Sequence, residues 1–114
     1  MERLFVYGTL APGRSNEHVL ADVPGTWEPA VVAGRLVAEG WGSALGYPAI
    51  VLDPARGDRV DGMLFSSVRL GEHWERLDEF EGAAYERLPT EGALPDGRTV
   101  AAHIYALRAP FTSR

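Results

Sequence analysis

The hydrophobic pattern divides the chain into short strands and two helices. Leu4-Phe5-Val6-Tyr7 is a dense apolar run, long enough for a buried strand, and Gly8 breaks it. Ala11-Pro12-Gly13 marks a turn, and Ser15 is placed to cap a helix over residues 16–20. Residues 26–37 are β-rich, although Pro29 assigns the first part to an edge. After a glycine-rich loop over residues 40–46, residues 48–52 and 60–65 read as further strands. Gly62 inside the latter predicts a bulge or a close backbone approach, and Gly34 fits a strongly bent sheet. A helix is predicted over residues 71–80, then strands over 85–88 and 99–107 joined by the Pro95-Asp96-Gly97 turn. Short strands, tight turns and few helices predict an α+β fold: a small, mostly antiparallel β-barrel flanked by short helices.

The register of the second helix singles out one acid. Each helical residue turns about 100° around the axis, so Leu70, Trp74 and Leu77 share a stripe. Glu81 continues that stripe, four residues beyond Leu77, whereas Glu79 points to water and Asp78 lies near the stripe's edge. An acid therefore stands where an apolar residue belongs. Burial and the negative end of the helix dipole both disfavour its charged form, which predicts a raised pKa at Glu81. Raised carboxylates suit proton transfer near neutral pH. The plainer alternative is a helix-terminal acid that pairs with Arg87 or turns to solvent.

Composition narrows the remaining choices. The 114 residues fit one domain over 1–114, and 46% hydrophobic residues suffice for one core. Net charge is −5, and the 11 basic residues, all arginine, are scattered, which argues against nucleic acid. No cysteine is present, so disulfides and thiol chemistry are excluded. His18, His73 and His103 lack metal-ligand spacing, and no cofactor is expected. No apolar run is long enough to span a membrane and no leader pattern precedes the first strand. The expectation is a cytoplasmic protein without membrane contact.

Taken in order, Val6-Tyr7-Gly8-Thr9-Leu10 with Gly13 and Asn16, Tyr47-Pro48-Ala49, Val60-Asp61-Gly62-Met63-Leu64-Phe65 and Leu77-Asp78-Glu79-Phe80-Glu81-Gly82 with Tyr85 and Arg87 resemble the γ-glutamylcyclotransferase-like family, especially its γ-glutamylamine cyclotransferase branch. The resemblance implies a mixed barrel with a pocket at one end. It implies that the loop from Tyr7 through Gly8 and Thr9 to Leu10 holds the glutamyl part of a small-molecule substrate, and that Glu81 shuttles protons. Tyr47 and Tyr85 are further candidates for the pocket wall, Tyr85 with a barrel-packing alternative. Arg87 is a candidate for the substrate's α-carboxylate or a solvated strand residue.

The expected reaction is intramolecular aminolysis of a γ-glutamyl amide, releasing an amine and 5-oxoproline. Backbone N–H groups of residues 8–10 would stabilise the oxyanion. Two other readings remain: a γ-glutamyl amide hydrolase, and a barrel that binds such molecules without turnover.

Overall fold

The computed structural model describes residues 1–7, 10, 13, 17–37, 49–53 and 57–107. Six strands form one sheet: β1 (Glu2–Val6), β2 (Thr26–Val37), β3 (Ala49–Leu52), β4 (Asp58–Ser67), β5 (Tyr85–Ala93) and β6 (Thr99–Leu107). The order is β3-β2-β4-β1-β6-β5, and an additional β2–β5 pairing through Val31 and Ala93 closes five strands into a barrel, with β3 added outside the ring on β2. Every pairing is antiparallel except β1 with β6, so the barrel is mixed. Helix α1 (Trp74–Glu81) follows a 3-10 turn over Leu70–His73.

Alternation along the strands builds two apolar layers. Phe5, Ala30, Val32, Leu64 and Ile104 belong to one buried cluster; their neighbours Leu4, Val6, Phe65 and Tyr105 belong to a second, which includes Leu77 of α1 and packs against Trp74 and Phe80. One strand face thus fills one cluster while the other carries the helix.

The predicted glycine roles have a steric basis. A Cβ on Gly62 would lie 2.6 Å from the Phe5 ring and 2.6 Å from the Val6 carbonyl; one on Gly34 would lie 2.7 Å from the Ile50 side chain. Pro29 pairs with Met63 of β4, in the part of β2 that precedes the β3 and β5 pairings, where a missing N–H disrupts no second ladder.

Two elements differ from expectation. The first helix is a single 3-10 turn, Glu17–Val19, because Pro24 disfavours helical geometry at Val23 and the apolar Val19, Leu20 and Val23 are drawn individually into the helix-side layer. The Ser15 cap lies outside the described residues. Strand β5 runs on to Ala93, beyond the predicted residue 88, since cross-strand pairing with β6 carries the chain through Pro89 and Gly92. Among the described residues no helix is long and apolar enough to cross a membrane.

Candidate active site

Glu81 is the last residue of α1. Leu70 and Leu77 are fully buried and Trp74 partly so, which fixes the helix rotation and leaves Glu81 on the same inward stripe, while Glu79 is exposed. Gly82 ends the helix at φ +87° and ψ 179°, a conformation nearly confined to glycine, and its N–H donates to the Asp78 carbonyl at 3.1 Å. Burial pushes the Glu81 carboxyl up to about 7. The acid sits near enough to Tyr7 and Tyr105 for its charge to oppose ionisation of both phenols.

Tyr7 follows β1 and stacks with Phe5, ring centroids 6.3 Å apart. Its hydroxyl donates to the Tyr105 carbonyl at 2.8 Å and accepts from the Ile50 N–H at 3.0 Å. The hydroxyl hydrogen therefore ties β1 to β6, and the oxygen receives β3. Burial raises its pKa well above the ordinary phenol value. The expected substrate contact at Tyr7 is accordingly left to the ring; its only O–H is already engaged.

Beside Glu81 lies a network not singled out from the sequence. The Tyr105 hydroxyl donates to Asp78 Oδ1 at 2.6 Å. Arg87 donates from Nε to the same oxygen at 3.0 Å and from Nη2 to Oδ2 at 3.4 Å. Its guanidinium lies 4.4 Å from the centroid of Trp74, which also meets the His103 ring edge-on at 5.0 Å. Arg87 so grips two α1 positions one turn apart. Hydrogen bonding from Arg87, then from Tyr105, holds Asp78 below the ordinary carboxylate range, while Arg87 is raised by the same bond. Arg87, considered as a partner for Glu81, pairs with Asp78. The signal for that pair was the i, i+9 spacing of acid and arginine across the helix–strand turn, which periodicity does not register.

Leu10 is buried in the helix-side layer, so its side chain is a core anchor. Tyr85 opens β5 opposite Leu107 and is buried in that layer, as its barrel-packing alternative requires, though it also borders an open cleft of about 920 Å³. That cleft is further lined by Trp74, Asp78, Arg87 and Tyr105, not by Glu81. Gly8, Thr9, Tyr47 and the loop over residues 40–46 lie outside the described residues. Among the described residues no group of three His, Asp or Glu side chains is arranged to hold a metal.

A mixed barrel with a half-buried acid at the end of its helix has recognisable relatives. The family model described as Gamma-glutamyl cyclotransferase, AIG2-like matches residues 4–113. The chain belongs to that family. No curated protein sequence matches it. Among solved structures, YkqA of Bacillus subtilis is 28% identical at a TM-score of 0.71; the match covers 94% of this chain and 36% of that protein, so the chain spans about a third of it. An AIG2-like protein of Mus musculus is 24% identical at 0.72, covering 97% of this chain and 81% of that one. A gamma-glutamyl cyclotransferase is 18% identical at 0.62, covering 94% and 66%. At these last two identities the likeness speaks for the fold.

Proposed function

We propose that the protein is a γ-glutamyl cyclotransferase with Glu81 as its proton shuttle. The observation that carries the reading is the half-buried Glu81 carboxyl, pushed up to about 7 by burial, at the end of a helix in a chain of this family. A group with that proton affinity exchanges protons readily in both directions near neutral pH.

The substrate enters with its α-amino group protonated. Glu81 removes a proton, the freed nitrogen lone pair attacks the γ-carbonyl carbon, and a C–N bond forms. Backbone N–H groups of residues 8–10 receive the oxyanion, a contribution of about 3 kcal/mol per donor in other acyl-transfer sites. Glu81 then returns its proton to the departing nitrogen, and the tetrahedral centre expels the amine as the original amide C–N bond breaks. The attacking nitrogen gives up two protons in all and the departing amine gains two, so the overall reaction is proton-neutral. Because nucleophile and electrophile belong to one molecule, holding a ring-closing conformer provides much of the acceleration.

The Tyr7 ring and residues Gly8, Thr9 and Leu10 form the glutamyl side of this proposed site, with Tyr47 and Tyr85 towards its wall. The test is incubation with a panel of γ-glutamyl amines while 5-oxoproline is measured. Cyclisation yields 5-oxoproline and free amine. Free glutamate instead would identify a hydrolase, and saturable binding without either product a binding module.

A further inference from the structure

Helix α1 is poorly equipped to hold its own last turn. It is eight residues long, below the length at which helices persist alone. Its last turn carries Asp78, Glu79 and Glu81 and no basic residue, so three acids face the negative end of the helix dipole. Leu77 and Phe80 supply apolar contact. The polar hold comes from two strands outside the helix. From β5, Arg87 donates to Asp78 Oδ1 at 3.0 Å and Oδ2 at 3.4 Å and lies 4.4 Å from the Trp74 ring centroid. From β6, the Tyr105 hydroxyl donates to Asp78 Oδ1 at 2.6 Å. An isolated exposed ion pair contributes little, but this one is two-pronged, stacked and completed by a neutral phenol.

The main chain carries the constraint onward. The Asp78 carbonyl accepts from the Gly82 N–H at 3.1 Å, which closes the turn that contains Glu81. Tyr105 is itself anchored, since its ring is buried and its carbonyl accepts from the Tyr7 hydroxyl at 2.8 Å. Tyr7 immediately precedes residues 8–10. One residue of β6 thus bonds both the helix that ends on Glu81 and the chain that leads into residues 8–10. We propose that Tyr105 and Arg87 are positioning residues: acting through Asp78, they hold the last turn of α1, and Glu81 with it, fixed relative to the end of β1. The bearing on catalysis rests on the proposed role of Glu81, but the hold on the helix does not.

The test begins without substrate. Hydrogen exchange at the Gly82 amide reads the turn directly, and it should quicken about tenfold in Tyr105→Phe and in Arg87→Met. It should not change in Val32→Ala, which weakens the barrel core elsewhere. Unchanged exchange in the first two variants, or equal quickening in all three, would overturn the proposal. The carboxyl 13C resonance of Glu81, followed across pH, separates position from charge. Release of the turn admits water to Glu81 and should lower its proton affinity about tenfold in both variants. Charge alone predicts a rise in Arg87→Met, where a cation is lost, and no change in Tyr105→Phe, where a neutral phenol is lost; that pattern would also overturn the proposal. Each variant is informative even if the other does not fold. With an active substrate, kcat should fall about 10- to 100-fold in Tyr105→Phe with KM little changed. Quickened exchange at Gly82 in a protein that cyclises no γ-glutamyl amide would reject the cyclotransferase reading and leave the clamp standing. A fall in kcat with normal exchange and titration would reject the clamp and leave the cyclotransferase.

Discussion

Replacing Glu81 by glutamine should make the protein more stable above neutral pH while sharply slowing turnover. The folded protein keeps a proton on Glu81 up to about pH 7, whereas the ordinary value is 4.5. Between these values the folded state binds more protons than the unfolded chain, so stability falls as pH rises through the interval and levels off above it. The full shift corresponds to about 3 kcal/mol, and partial exposure of the carboxyl reduces that to about 2 kcal/mol. Glutamine has no charge to bury. Its stability should be flat over the same interval, and at pH 8 its melting temperature should exceed that of the wild type by about 8 °C. Asp78, whose pKa is lowered, contributes stability present above its ordinary value and lost only in more acidic solution, which leaves the interval clear. Thermal and urea melts at pH 5, 6, 7 and 8 provide the measurement. Parallel curves for the two proteins would refute the reasoning, since an acid in full solvent contact loses nothing on ionisation. The same variant should lose about 10²- to 10⁴-fold in kcat with substrate affinity changed much less.

Tyr7→Phe should destabilise by about 1–3 kcal/mol, because it strands the Ile50 N–H and the Tyr105 carbonyl together; urea titration checks this. Gly82→Ala should cost about 1–3 kcal/mol despite open space around its Cα, since the backbone conformation rather than a clash is at fault; equal stability would dismiss that conformation. Leu77→Ala, which empties a fully buried site beneath α1, should cost about 2–5 kcal/mol by chemical denaturation and loosen the placement of Glu81, lowering kcat as well.

Much of this architecture was legible along the chain. Apolar runs bounded by turn residues located every strand, and the stripe through Leu70, Trp74 and Leu77 put Glu81 on the inward side, because helical periodicity is a local property. Gly62 announced a bulge or a close approach and Gly34 a bent sheet by the same kind of local signal, although the neighbours that crowd them, Phe5 with Val6 and Ile50, were not readable. The C-terminal end of β5 and the shortness of the first helical turn were misjudged where cross-strand pairing and core burial overrode local preference.

Local order along the chain thus determined which segments are strands, which face of α1 is apolar and which acid lies on it. Tertiary structure alone decided who shares a proton with whom. Asp78 and Tyr105 are 27 positions apart, and Tyr7 and Tyr105 are 98 apart. Hydrogen bonds act over about 3 Å, and no periodicity encodes which distant residues closure of the barrel will bring within that reach.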